Sequence, residues 1–324
     1  MKKKYTYFIL IALIVAFVVF INSQPSVKPV NTDYQQAFQE KYSVFSLALP
    51  TNLSFANEIV PMDHFDVREA LDQELLVNTY WQSQTILFIK RANKYFPEIE
   101  AILKEKGIPE DFKYLVLAES ELKNAVSPSG AVGIWQLLKG TAKDYGLEVN
   151  SEVDERYHFK KSTEAACEFL KDAHELFGSW TMAAASYNVG RRGLMKQVNR
   201  QKEQNYYNLL LNSETGRYIY RILAIKLILE NPDQFGFHVR EKDMYYPVPS
   251  YEVKVDSSVK DFADFAKKLL INYKLLKYFN PWLRDSFLTN KNQKEYTIRI
   301  PKEGYRSYSK IIGYSENDSI TVKD

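Results

Sequence analysis

Glu119 stands where a core residue would be expected. It follows Phe112-Lys113-Tyr114-Leu115-Val116-Leu117-Ala118, and Phe112, Leu115, Glu119 and Leu122 fall at i, i+3, i+7 and i+10, one stripe of a helix. Burying an ionised carboxylate unpaired is costly, so such a group either holds its proton toward neutral pH or has a dedicated partner. Donating a proton near neutral pH requires a carboxyl whose pKa has been raised in this way. Glu121 lies about 200° further round the same helix and is expected to face water.

The other chemistry-bearing residues follow in order. Ser127-Pro128-Ser129-Gly130-Ala131-Val132-Gly133-Ile134-Trp135-Gln136 joins a turn signal to two glycines, an aromatic ring and an amide. A sugar polymer is held by such a set: a close backbone edge, an aromatic wall, and hydroxyl or amide groups for ring substituents. The same residues also suit a plain turn with Trp135 in the core. Ala183-Ala184-Ala185-Ser186-Tyr187-Asn188-Val189-Gly190 reads as a small-residue helix that packs closely on a neighbour. Its terminal Asn188 could be a cap and nothing more.

Helices must position these groups. Pro109 suits a first helical position, with Glu110 and Asp111 at the positive end of the dipole, for the helix that bears Glu119. From Val67 to Lys106 apolar residues recur at helical spacing. A later helix runs to about Phe177, with Ala166, Phe169, Leu170 and Ala173 inward and Gly178 as its stop. The next spans Trp180 to Asn188 and stops at Gly190, and the last runs from about Glu214 to Glu230, before Pro232. Beyond Gly236 the pattern changes. Tyr251–Val255 and Tyr296–Ile300 alternate like half-buried strands, and Val259–Leu270 and Tyr273–Phe279 between them are helical, which makes a small separate strand-helix-helix-strand module. The fold class expected is mainly α, an all-α catalytic domain followed by a small α+β module.

Composition excludes several alternatives. The chain has 43 basic and 40 acidic residues. Residues 1–23 hold three of the lysines and no acid, so the remainder is neutral and offers no footprint for nucleic acid. Cys167 is alone among small apolar neighbours, a buried residue and not part of a disulfide framework. His64, His158, His174 and His238 have no metal-ligand spacing, and neither metal nor cofactor is expected. Lys2 to Lys4 followed by the apolar run Phe8 to Ile21 is the layout of an export signal or a retained membrane anchor. The protein body is expected on the exported side, whether the segment is removed or retained as an anchor.

Glu119-Ser120, the Ser127 to Gln136 segment, Ala185-Ser186-Tyr187-Asn188-Val189-Gly190 and Glu214-Thr215-Gly216-Arg217-Tyr218 together resemble the soluble-lytic-transglycosylase type of goose-lysozyme-like domain. The resemblance covers roughly residues 60 to 235 and is greatest to the membrane-bound lytic murein transglycosylase D branch. It implies a lysozyme-like fold and a peptidoglycan glycan strand as substrate. The reaction implied is cleavage of the β-1,4 bond between N-acetylmuramic acid and N-acetylglucosamine, with closure of a 1,6-anhydro ring. Glu119 would be the single acid/base, and Ser127, Gly133, Trp135, Gln136, Tyr187, Asn188 and Tyr218 would hold the saccharide. Glu214 would fix the start of its own helix, and Asp154 with Arg156 would be a structural pair. Trp135 stands where many relatives have Met, and Lys139-Gly140 replaces a proline-containing step. The C-terminal module resembles a LysM peptidoglycan-binding repeat in element order and in Asn280-Pro281 and Ile300-Pro301, without the usual Gly-Asp-Thr opening.

The expected organisation is a signal or anchor at 1–23, a lead-in at 24–60, the catalytic domain at 61–240, the LysM-like module at 247–303 and a tail at 304–324. A hydrolytic muramidase on the same fold, using Asp154 or Glu155 to position water, and an inactive wall-binding scaffold are the alternatives. Protein partners are not indicated.

Overall fold

The computed structural model describes Gln36 and residues 44–313; the N-terminal signal or anchor, most of the lead-in and residues 314–324 lie outside the described residues. Among the described residues are eleven α-helices and three two-stranded antiparallel sheets. The protein is mainly α, with a small α+β module at its C-terminal end. None of the described helices is long and apolar enough to cross a membrane.

The chain enters through a short hairpin, β1 (Ser54–Phe55) and β2 (Glu58–Ile59), and continues into α1 (Phe65–Tyr80) and α2 (Gln82–Glu105). Next comes α3 (Phe112–Ser120), whose start differs from the sequence expectation. Phe112, Lys113 and Tyr114 N–H donate to the carbonyls of Pro109, Glu110 and Asp111 at 3.2, 3.0 and 3.0 Å, so a tight three-residue turn precedes regular helix. Asp111 does not merely complement the dipole. Its carboxylate accepts from Ala56 N–H and from Lys226, both at 2.7 Å, and ties β1 and a later helix to this turn. The far end also differs: α3 stops at Ser120, and Glu121 and Leu122 turn left-handed with φ of 56° and 57°. Leu122 is still buried, from a turn and not from a helical face. Glu121 is half-buried and ion-paired with Arg91 and Lys123, where free exposure to water was expected.

A second hairpin, β3 (Ala125–Val126) and β4 (Val132–Gly133), leads to the short α4 (Lys139–Asp144). The helical part is therefore not purely α, since two small hairpins interrupt it. Helix α5 (Phe159–Phe177) is amphipathic and ends at Gly178, which adopts φ 69° and donates to the His174 carbonyl at 2.8 Å. Then follow α6 (Trp180–Val189), α7 (Arg191–Gln201) and α8 (Ser213–Glu230). Small residues on α5 and α6, among them Ala166, Ala173, Ala183, Ala184 and Ala185, are fully buried and let the two helices approach closely. Cys167 lies in the same layer, its thiol pushed up to about 12 by burial, and behaves as a small apolar residue. Helix α8 is the central strut, buried on most sides and packed on α1, α3 and α6.

The module consists of β5 (Ser250–Val255), α9 (Phe262–Lys268), α10 (Tyr273–Phe279) and β6 (Tyr296–Pro301), with α11 (Tyr308–Ile311) beyond. Strands β5 and β6 pair antiparallel, with Tyr251 opposite Ile300 and Val253 opposite Ile298. The module has a core of its own and is tied to the helical domain. Val153, from the helical domain, is buried in the module's core beside Phe262, Leu276, Leu283 and Ile298. Arg299 reaches Glu98 on α2 at 3.0 Å, and Lys294 reaches Glu148 at 2.5 Å.

Candidate active site

Glu119 occupies the last turn of α3, a helix whose Leu115, Val116 and Leu117 are fully buried, and its carboxyl opens on a cleft. Burial pushes its pKa up to about 7, because the charged form loses solvation. The negative end of the helix dipole acts in the same direction. Tyr218, fully buried on α8, donates its hydroxyl to Glu119 Oε1 and pulls the pKa down again. Glu214 and Arg221, on the same face of α8, contribute a smaller rise and fall. The carboxyl thus titrates where a group can serve as acid and base in one cycle.

The opposite wall is the segment after α3, and it is held from three sides. Ser120 Oγ donates to the Ile134 carbonyl at 2.6 Å, tying the segment to the turn beside Glu119. Val132 and Leu137 exchange backbone bonds of 3.1 Å, closing a tight loop between them. Arg156 Nη1 donates to the carbonyls of Gly130 and Leu137 at 3.1 and 3.3 Å, and Arg156 is itself held by both carboxylate oxygens of Asp154. The expected Asp154–Arg156 pair is there, and the loop it grips is the one that carries Ser127 and Gln136.

Within that loop Gln136 adopts φ 48°, a left-handed conformation that costs a non-glycine residue energy. Its Nε2 donates to the Ala125 and Gly133 carbonyls at 3.1 and 2.7 Å, so the surrounding backbone enforces the strained state. Ser127 Oγ accepts from Ala131 N–H at 3.0 Å and lies 2.9 Å from Ser129 Oγ. Tyr187 and Asn188, at the end of α6, close the cleft from the third side. The cleft encloses about 460 Å³ and mixes hydroxyls, amides and apolar surface.

Of the residues expected to hold substrate, Ser127, Gln136, Tyr187, Asn188 and Tyr218 line this cleft with Glu119. Gly133 and Trp135 do not. Trp135 is 0% exposed and its Nε1 donates to Thr163 Oγ1 at 2.8 Å, so the ring fills the core and forms no aromatic wall. The close approach at Gly133, φ 84°, is to the protein itself: a Cβ there would lie 2.1 Å from the Arg156 carbonyl oxygen. Tyr187 lines the cleft, donates its hydroxyl to the Trp135 carbonyl at 2.7 Å and packs its ring edgewise on Trp135 and Phe169. Asn188 is not a cap. Its Nδ2 donates to Glu214 at 3.2 Å and its Oδ1 accepts from Thr215 Oγ1 at 2.8 Å, joining α6 to α8.

Glu214 lies in the first turn of α8, as expected of an acid at a helix start, and the cap itself is Asn212, which accepts from Thr215 N–H at 2.9 Å. Glu214 also lines the cleft, a second carboxylate beside Glu119 at a position other than the Asp154 and Glu155 considered for that role. Asp154 and Glu155 are excluded from the cleft: one is locked to Arg156, the other, 2% exposed on its side chain, to Lys161 and the Glu148 N–H. Ser129 and Arg221 also line the cleft and were missed. A signal existed for Arg221, since Glu214, Tyr218 and Arg221 are spaced i, i+4, i+7 and share a helical face. No sequence signal linked Arg156 to the loop it grips.

The model described as "Transglycosylase SLT domain" matches residues 96–210, and "Soluble lytic transglycosylase C-terminal LysM-like domain" matches residues 251–304. The chain carries a transglycosylase SLT domain. It is homologous to "Membrane-bound lytic murein transglycosylase D" of Escherichia coli strain K12, 28% identical over 228 residues, which is 68% of this chain and 49% of that one. The protein of that name from E. coli O6:H1 matches to the same extent. A "Putative tributyltin chloride resistance protein" of Alteromonas sp. strain M-1 is 28% identical over 116 residues, 35% of this chain and 56% of its own. The chain thus spans about half the length of the E. coli relatives, 49%. The SLT match takes in Glu119, the loop and α6 but ends before α8, so Glu214, Tyr218 and Arg221 join the SLT cleft from outside the matched residues. The LysM-like match runs from β5 through β6.

Proposed function

We propose that the protein is a peptidoglycan lytic transglycosylase that cleaves the β-1,4 bond between N-acetylmuramic acid and N-acetylglucosamine and leaves a 1,6-anhydro-muramoyl end. The observation that carries this reading is one carboxyl, Glu119, brought to a pKa of about 7 at the wall of an SLT cleft. With Oε1 engaged by Tyr218, Oε2 is the oxygen that carries the proton toward the glycosidic bond. Glu119 protonates the leaving oxygen. The resulting carboxylate, stabilised by the Tyr218 hydroxyl, takes the proton of the muramoyl C6 hydroxyl as that oxygen closes on C1. Because the nucleophile belongs to the same sugar, the step needs orientation and no bound water. Ser127, the Gln136 amide oxygen, Tyr187 and Asn188 orient the saccharide in this scheme. The export-type N-terminus and the similarity to a membrane-bound murein enzyme support action on the cell wall from the exported side.

One observation favours a second reading. Glu214 supplies a second carboxylate in the cleft, and a hydrolytic muramidase needs such a base to activate water. Its hydrogen bond to Asn188 favours a positioning role instead. Mass spectrometry of muropeptides released from purified sacculi separates the readings. Anhydro ends are expected, reducing ends would establish hydrolysis, and no release by folded protein would leave the wall-binding scaffold. Glu119→Gln is expected to abolish release while binding to sacculi persists.

A further inference from the structure

Residues 152–156 have two faces. Toward the C-terminal module, Val153 is buried in the module's core and bridges Leu283, and Asp154 N–H donates to the Trp282 carbonyl at 2.9 Å. Arg284 N–H donates to the Glu152 carbonyl at 2.7 Å, and Thr289 N–H to the Glu152 carboxylate at 2.6 Å. Toward the cleft, the Asp154 carboxylate takes both arms of Arg156 at 2.9 and 2.7 Å, and Arg156 grips Gly130 and Leu137. The Arg156 carbonyl fills the space beside Gly133 that a side chain would need.

We propose that the LysM-like module positions the Ser127–Gln136 segment through this brace, so that seating of the module is part of a competent cleft. Asp154 is the junction. Its N–H belongs to the module contact and its carboxylate to the arginine that holds the loop. Other ties of the module, Arg299 to Glu98 and Tyr278 to Lys94 on α2 and Lys294 and Tyr296 to Glu148, do not touch the Ser127–Gln136 segment. A saccharide-positioning wall tolerates little displacement, and a shift of about 1 Å at such a wall costs up to about a hundredfold in rate. Val153, Asp154 and Arg156 are positioning residues in this account, outside the cleft themselves. The catalytic consequence rests on the lytic transglycosylase reading; the mechanical coupling does not.

The test uses the full chain with Val153→Asp, which places a carboxylate in the module's core from a residue that does not line the cleft, and with Val153→Ile as the conservative control. Hydrogen exchange and muropeptide release are measured together. In Val153→Asp the amides of Arg284 and Thr289 are expected to lose protection, and those of Val132 and Leu137 to exchange at least about tenfold faster. The kcat should fall roughly ten- to hundredfold, with the pH dependence set by Glu119 unmoved and Val153→Ile behaving as wild type. Faster exchange at Arg284 and Thr289 with wild-type protection at Val132 and Leu137 and wild-type kcat would overturn the proposal. Should Val153→Asp fail to fold, Arg156→Lys decides, because it keeps a charge beside Asp154 but loses the planar guanidinium whose Nε and Nη2 hold Asp154 while Nη1 reaches both carbonyls. It is expected to loosen Val132 and Leu137 while Arg284 and Thr289 stay protected, and a loop as protected as wild type would refute the brace. If wild-type protein releases no anhydro-muropeptides, the proposed function fails while the exchange measurements still decide the coupling.

Discussion

Glu119→Gln is expected to stabilise the protein, and to do so only above acid pH. The carboxyl's pKa is about 7 in the fold against an ordinary value of 4.5, so between those values the folded chain binds a proton that the unfolded chain has released. Stability therefore falls as pH rises through this window, is fully retained below the unfolded value and levels off above the folded one. The displacement from 4.5 to about 7 corresponds to about 3 kcal/mol of lost stability at pH 8. Glutamine has the same shape, its amide oxygen still accepts from Tyr218, and it carries no charge to desolvate. Wild type and variant should unfold at closely similar denaturant concentration near pH 4.5, and the gap should open to about 3 kcal/mol by pH 8, roughly 6–12 °C in Tm. Denaturant titrations at intervals of half a pH unit measure it. A difference that does not change with pH would refute the argument that burial of this carboxyl sets its pKa.

Tyr218→Phe removes the hydrogen bond that favours the carboxylate, so the pKa of Glu119 should rise further. A bond to a charged acceptor is worth about 1.5–3 kcal/mol, which places the alkaline limb of kcat/KM roughly one to two pH units higher; an unshifted limb would show that Tyr218 does not contact the working carboxyl. Trp135→Phe gives up the bond to Thr163 and part of a full core side chain, and should cost about 1–3 kcal/mol in chemical denaturation. Its KM should stay at the wild-type value, and a raised KM would return the indole to the cleft. Gly133→Ala is expected to lose at least about 3 kcal/mol in the same assay, since its Cβ meets backbone that cannot swing aside; near-neutral behaviour would contradict the contact with Arg156.

Much of the helical architecture was legible because apolar periodicity, Gly178, Gly190 and Pro232 act locally, through each helix's own face and ends. The element order of the module was legible for the same reason, as alternation and helical spacing are properties of short segments. Errors arose where a local signal had two outlets. The pattern through Leu122 fits a continuous helix, yet the chain turns left-handed after Ser120 and still buries Leu122. Trp135 fits an aromatic wall or a core filler equally well, and the partner that decided, Thr163, is 28 residues away. Gly133 announced a close approach without saying to what.

Glu119 marks the division between the two sources of information. By itself the sequence determined that a carboxyl sits on the apolar stripe of a short helix, because hydrophobic periodicity is a one-dimensional property. Only the tertiary structure decided how that carboxyl titrates, that Tyr218, Glu214 and Arg221 are its neighbours, and that Arg156, braced by the C-terminal module, holds the facing loop. Desolvation and hydrogen bonding depend on distances between segments far apart along the chain, and the packing of α8 against α3, with the module seated on residues 152–156, sets those distances.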